Sequence, residues 1–305
     1  MMSLKQLTED LVRLLSKALE GECKVKSQRL EEYHGRTPYR ILFLKDSDGK
    51  QAVVADIYPE NYYEDYFSGQ KSLDEIGESI LNFYDKATGE FREEYEMLED
   101  YSQIRNKLSF MFINRHRNRD MLKQLVYIDY GDIALILQVV FINRKQYGVV
   151  SSKINYQMLK HWGISKEQLY TDAFMSAPNI TPAKIMTEDE AICECLGVPC
   201  KGDEKANMYT VINGIYQMGS GVILYKGLGE VIKKKTGKKD FYVLPSSIHE
   251  LLLVPVDISV SVKELKQMVK QVNRDQVSVE DYLSDEIFTY NADTEEFKPY
   301  GKESQ

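Results

Sequence analysis

The chain has 305 residues, of which 43% are hydrophobic and 28% charged, with a formal net charge of −8. A chain of this length buries roughly 75% of the surface its unfolded form exposes, and this composition excludes global disorder. The acidic balance argues against a general nucleic-acid binder, and no apolar run approaches the ~20 residues that span a bilayer.

In chain order, residues 3–19 are expected to form an amphipathic helix. Leu4, Leu7, Leu11, Leu14, Leu15 and Ala18 share one face, Ser3 with Gln6 makes a capping box, and Gly21 supplies the stop. Residues 23–28, 39–45 and 51–58 read as strands, the last two joined by Asp46-Ser47-Asp48-Gly49 with its Asp-Gly hairpin signal. Tyr62, Tyr63, Tyr66 and Phe67 then cluster among Glu60, Glu64 and Asp65. A helix is expected over 73–86, opened by the Ser72–Glu75 box, and the acidic stretch 90–100 reads as the solvated side of another.

The middle of the chain opens with a strand at 108–113. The basic stretch Arg115-His116-Arg117-Asn118-Arg119 follows, then a short helix at 120–125 and strands at 133–142 and 147–154. Met158, Leu159 and Trp162 lie on a helix ended by Gly163; Ser165 with Gln168 caps the next, and Pro178 and Pro182 are expected to break the pattern. A short helix is expected over 188–196. The polar linker Lys201-Gly202-Asp203-Glu204-Lys205 reads as a boundary. Beyond it come a strand at 208–213, the apolar 222–225 and a helix at 228–235. Two strands flank Ser246-Ser247, and a helix opened by the Ser261–Glu264 box precedes a strand at 286–291. The expected fold is α+β, with mixed or antiparallel sheets covered by helices, over three regions (1–100, 101–200 and 206–301). The order strand–helix–strand–strand–helix occurs in both the middle and the final third, which allows two similarly built units.

Residues 208–213, 221–225 and 241–255 resemble a family known mainly from clostridial bacteria and catalogued only as a domain of unknown function. Residues 159–165, continuing to Leu169-Tyr170, resemble its middle segment, and residues 55–63 its first. The resemblance covers about residues 20–292. It implies a bacterial, cytoplasmic, full-length unit, and it supplies no catalytic residue and no cofactor.

Several side-chain groups invite chemistry. Ser246, Ser247, His249 and Glu250 contain the ingredients of a hydrolase, a serine with a histidine to take its proton and a carboxylate to orient the ring. In extended backbone neighbouring side chains point to opposite faces, and there is no G-x-S-x-G elbow, so the alternative is that the serines satisfy turn amides. Arg115, Arg117 and Arg119, and Lys233, Lys234 and Lys235, are candidates for phosphate or nucleic-acid contact; the lysines also suit the dipole at a helix's last turn. Cys193, Cys195 and Cys200 include no C-x-x-C pair, and the first two would point about 200° apart on a helix, so no metal site is expected. Gly219-Ser220-Gly221 and Gly227-Leu228-Gly229 match neither a Walker loop nor G-x-G-x-x-G. Tyr62, Tyr63, Tyr66 and Phe67 form either a contact patch with an acidic rim or the packed face of a helix. The preferred reading is a non-enzymatic binding or regulatory protein recognising another protein. The alternative is a hydrolase using His249 with Ser246 or Ser247, or a phosphate-handling enzyme using the arginines.

Overall fold

The computed structural model describes residues 3–30, 32, 37–47, 50–89, 96–143, 148–200 and 206–301. The linker 201–205, the Asp48-Gly49 tip of the first hairpin and most of the acidic stretch 90–100 lie outside the described residues. The chain divides into two compact units, Met1–Glu96 and Met97–Gln305.

The smaller unit packs helices α1 (Leu4–Ala18), α2 (Glu60–Phe67) and α3 (Leu73–Gly89) with a three-stranded antiparallel sheet of order β1 (Lys24–Arg29), β2 (Tyr39–Ser47), β3 (Lys50–Ile57). Helix α1 starts where Ser3 Oγ accepts the Gln6 N–H. Its Leu7, Leu11 and Leu15, one turn apart, are fully buried. They meet Ile41 and Phe43 of β2 and Ile76, Ile80 and Tyr84 of α3 in one cluster, where Phe43 stacks on Tyr84 at 5.2 Å between ring centroids. The α3 cap is reciprocal: Ser72 N–H donates to Glu75 Oε2 at 2.7 Å and Glu75 N–H to Ser72 Oγ at 3.2 Å. Burying one stripe of each helix leaves the opposite faces of α2 and α3 in solvent.

The larger unit holds two antiparallel sheets. One contains β4 (Leu108–Asn114), β5 (Tyr127–Tyr130), β6 (Ile133–Asn143) and β7 (Gly148–Lys153). Strand β6 is central, with β4 along one side and β5 and β7 along the two halves of the other. The second has the order β13 (Glu296–Pro299), β12 (Phe288–Asn291), β10 (Asp240–Leu244), β11 (Leu251–Pro255), β9 (Tyr209–Asn213), β8 (Ala183–Met186). In β4–β6–β5 and in β9–β11–β10 two strands joined by a helical connection flank the third, which runs antiparallel to both.

Both faces of β6 are covered. Ile133, Leu135, Leu137, Val139 and Phe141 join the main core, while Ala134 and Ile136 join a second cluster with Met111, Ile113, Leu122 and Leu125. That is why this strand reads as a nearly continuous apolar run, interrupted at Gln138, rather than an alternating one. The main core is shared by the two sheets, because Val211, Phe241, Val243, Leu251, Leu253, Phe288 and Tyr290 belong to it as well.

Around the sheets lie α4 (Tyr101–Ile104), α5 (Arg119–Leu122), α6 (Tyr156–Trp162), α7 (Lys166–Ile180), α8 (Glu188–Leu196), α9 (Leu228–Thr236) and α10 (Val262–Asp275). Helix α7 continues through Pro178, which sits in its last turn and removes one amide donor there without ending the helix. Its buried Asp172 carboxylate is held at both oxygens. Oδ2 accepts from Tyr101 OH at 2.7 Å and Gln168 Nε2 at 2.9 Å, and Oδ1 accepts from Arg105 Nη2 at 3.1 Å. Strands β5, β8 and β13, each four residues long, were not expected from sequence. The apolar 222–225 stretch belongs largely to a 3-10 helix, Ser220–Leu224.

Candidate functional site

Helices α2 and α3 of the smaller unit frame a concavity of about 550 Å³ lined by Tyr63, Tyr66, Phe67, Gly69, Lys71, Ser72 and Glu75. Gly69 has φ +74°, so the chain turns sharply between the helices and opens the space. Tyr63 and Phe67, one turn apart on α2, stack at 5.8 Å and 20° and form one wall. Phe67 is 54% exposed although it is a large apolar ring. A second concavity of about 540 Å³ continues along α3, lined by Glu75, Glu78, Ser79, Asn82 and Phe83, and Phe83 is 48% exposed. Lys71 and Glu75 are the charged residues lining the first concavity and Glu75 and Glu78 those lining the second, while Glu64, Asp65 and Asp74 stand elsewhere on the same two helices. Lys71 is held by Asp65 at 2.6 Å, which raises its pKa above the usual lysine range. Of the aromatic cluster expected from sequence, Tyr63, Tyr66 and Phe67 line this space, and Tyr62, Tyr63 and Tyr66 also pack against the core of the unit. The same short helix thus packs Tyr62, Tyr63 and Tyr66 partly against the core of its unit and leaves Phe67 exposed.

The link between β10 and β11 is built differently from a catalytic set. His249 Nδ1 accepts the Met218 N–H at 3.0 Å, which places the ring's proton on Nε2, and Nε2 donates to Asp281 Oδ1 at 2.8 Å. Ser278 Oγ donates to the other oxygen of Asp281 at 2.8 Å. Burial works to raise the Asp281 pKa, but the bonds from His249 and Ser278 outweigh it and hold the carboxyl below its ordinary range. Ser247 Oγ accepts the His249 amide at 3.0 Å and Ser246 Oγ donates to Glu250 at 3.4 Å, so neither serine is bonded to the imidazole. With both ring nitrogens occupied, His249 joins three segments: the 213–219 turn, the 246–250 link and the 278–281 turn. Sequence reasoning missed Met218 and Asp281, which lie 31 and 32 positions from the histidine. His249→Ala is expected to cost about 2 kcal/mol, because it strands a backbone donor and a carboxylate. Ser247→Ala should cost less than about 1 kcal/mol, and urea unfolding of both variants checks the order.

The arginines diverge. Arg115 reaches the Gly131 carbonyl at 3.2 Å and Asp129 at 3.2 Å, while Arg117 donates to the Val279 carbonyl at 3.0 Å and lies over the Tyr282 ring. Arg119 is exposed at the start of α5. On α9, Lys233 pairs with Glu230 at 2.7 Å and Asp293 at 2.8 Å, which raise its pKa to about 12, and Lys235 pairs with Glu190. Lys234 is exposed. Carboxylates of the same chain thus already meet two of the three lysines.

A family profile described as a family of unknown function matches residues 4–292. The chain belongs to the DUF5688 family. The same comparison against curated proteins and against solved structures finds no match. The motifs that carried the resemblance in sequence fall within this DUF5688 match, on β3, α6, α7, β9, β10 and β11 among others. Membership brings no residue role with it, so roles rest on geometry.

In this DUF5688 chain the glycine-rich stretches answer to close packing. A Cβ at Gly221 would lie 2.8 Å from the Phe110 carbonyl oxygen, and one at Gly219 would lie 2.5 Å from that of His249. At the start of α9 the amides of Gly227 and Gly229 donate to Glu295 Oε2 and Oε1 at 3.1 and 2.9 Å. The helix N-terminus, a natural place for a phosphate, is filled by the chain's own carboxylate. Among the described residues no group of three or more His, Cys, Asp or Glu side chains is placed to hold a metal ion. Likewise, no helix among the described residues is long and apolar enough to cross a membrane.

Proposed function

We propose that this chain is a protein-recognition module whose α2–α3 surface binds a basic segment of another protein, with an aliphatic or aromatic anchor seated against Tyr63, Tyr66 and Phe67. The observation that carries the reading is the stacked Tyr63–Phe67 pair, with the Phe67 ring exposed, beside two concavities whose lining carboxylates are Glu75 and Glu78. Aromatic rings at the centre of an interface supply most of the binding energy, and their faces attract lysine and arginine. The surrounding carboxylates add steering that weakens with salt.

The test uses two fluorescein-labelled 12-residue peptides as probes, one alternating arginine and leucine and the other glutamate and leucine, titrated with the whole chain. The basic peptide is expected to bind and the acidic one not. Phe67→Ala is expected to weaken binding at least about tenfold, in the range of a moderate hot spot. Glu78→Lys is expected to weaken it less and to flatten its salt dependence. Equal binding of both peptides, no binding of the basic one, or binding indifferent to Phe67→Ala would overturn the assignment.

A further inference from the structure

The edge strands of the larger unit are met, short or guarded, with one exception. On β4 the Phe112 amide donates to Ser220 Oγ at 3.0 Å, and a Cβ at Gly221 would lie 2.8 Å from the Phe110 carbonyl oxygen, so the 3-10 helix runs along that edge. On β5 the Tyr127 carbonyl accepts from Tyr170 OH at 3.1 Å. Strands β8 and β13 have four residues each and carry Lys184 and Lys298, and β13 ends on Pro299. Short edges with lysine or proline resist pairing with another chain. Strand β7 lacks these devices. It has six residues, no proline, and its one charge, Lys153, at the last position, and β6 is its only strand neighbour among the described residues. The Ile154 N–H just beyond it donates to the Leu137 carbonyl at 2.9 Å. Bonding direction alternates along a strand, so Ser152 and Val150 also face β6, opposite Val139 and Phe141. Val149, Ser151 and Lys153 therefore turn their N–H and C=O groups outward, and among the described residues no other backbone group bonds to them. Val149 and Ser151 are half-buried and Lys153 is exposed.

We propose that the β7 edge pairs with the β7 edge of a second copy of this chain, antiparallel about a two-fold axis, so that one sheet runs through a homodimer. The register chooses this occupant. An axis through Ser151, perpendicular to the sheet, sets Ser151 opposite itself, Val150 opposite the second copy's Ser152, and Val149 opposite the second copy's Lys153. Every outward-facing residue then meets another outward-facing residue, and all the open N–H and C=O groups of both strands are bonded. Sliding the register by one pair leaves outward groups unmatched at the ends. Opposed residues lie on the same face in both copies, so the half-buried valines and serines of one copy continue the covered faces of the other. Charge agrees with this register, because each Lys153 lies against a valine and no like charges meet. An unrelated segment would have to bring that match with it, whereas a second copy carries it by symmetry.

The test reads the mass of the full chain by light scattering over a roughly hundredfold range of protein concentration. The wild-type chain is expected to pass from one copy to two as concentration rises. Ser151→Pro removes an outward N–H that the fold does not use, and an edge strand tolerates proline, so this variant is expected to stay folded and to dimerise at least about tenfold more weakly. Val149→Lys sets a lysine against the second copy's Lys153 and is expected to weaken the dimer, whereas Val149→Glu sets a carboxylate there and is expected to keep it. Both changes replace the same half-buried valine with a charge, so their difference reports pairing rather than folding, and thermal unfolding confirms that each variant is folded. A wild-type chain that stays single throughout would overturn the proposal. So would a dimer indifferent to Ser151→Pro, or equal effects of Val149→Lys and Val149→Glu.

Discussion

Gly229→Ala is expected to destabilise the larger unit by about 3 kcal/mol, at the upper end of what overpacking does. Ordinarily a glycine-to-alanine change inside a helix stabilises it by roughly 0.5–1 kcal/mol, so the sign itself is diagnostic. Here a Cβ would run into the carbonyl oxygen of Ala292 and lie 3.0 Å from its carbon. The obstacle is backbone, which cannot rotate aside as a side chain would. Helix α9 would have to lift, and it would draw Leu228 and Ile232 out of the main core as it did so. It would also pull the Gly227 and Gly229 amides from Glu295. Glu295→Ala removes only the capping carboxylate and should cost about 1 kcal/mol. Urea midpoints for the two variants give the comparison, and a neutral or stabilised Gly229→Ala would refute the close approach.

Asp172→Ala is expected to cost about 3 kcal/mol at neutral pH, near the low end for breaking a buried ionic contact because Arg105 is half-exposed and partly solvated. The loss falls on Tyr101, Gln168 and Arg105 together, and so on the docking of α7 against the 101–107 segment. The penalty should also depend on pH. Burial pushes the Asp172 pKa up, but the bonds from Gln168, Tyr101 and Arg105 prevail and hold it below the ordinary range. A carboxyl depressed in the folded state stabilises fully above its unfolded pKa, about 3.9, and loses that contribution as pH falls through the lower folded value. The stability gap between wild type and Asp172→Asn should therefore be constant from pH 7 to about 5 and narrow below about 4. Urea unfolding at pH 7, 5 and 3 would show it, and a gap that widens in acid would contradict the assignment.

Local signals carried much of the fold. The caps at Ser3, Ser72, Ser165 and Ser261 stand where serine followed three residues later by glutamine or glutamate predicts them. Strands β4, β6, β10 and β11 are apolar runs of the right length and are strands. What escaped was short or non-local. Strands β8 and β13 have four residues each and lie at the edges of the six-stranded sheet, where half their surroundings are solvent and no apolar run is required. The ring partners of His249, the Tyr101 and Arg105 partners of Asp172 and the Glu295 partner of Gly229 stand about 30 to 70 positions away, and nothing within a local window names them. The aromatic cluster on α2 was visible as residues, but its concavity depends on Lys71, Ser72 and Glu75 beyond the Gly69 turn. The cysteines were legible as a group, whereas the Schellman turn at Gly197 comes from the helix stop rather than from their spacing.

The connections to β4 set a timetable for the chain during synthesis. Its Phe112 amide is met by Ser220 Oγ at 3.0 Å, and Asn114 Nδ2 by the Leu283 carbonyl 169 positions later. At roughly 5–20 residues per second, a ribosome needs on the order of 10–30 s to supply that last partner after Asn114 itself is made. Early in that interval the apolar β4 and β6 can pair with each other and α7 can join them, but the rest of the face they share waits for β9, β10 and β11. The first sheet is thus the part of the nascent larger unit most open to capture by chaperones or by neighbouring chains.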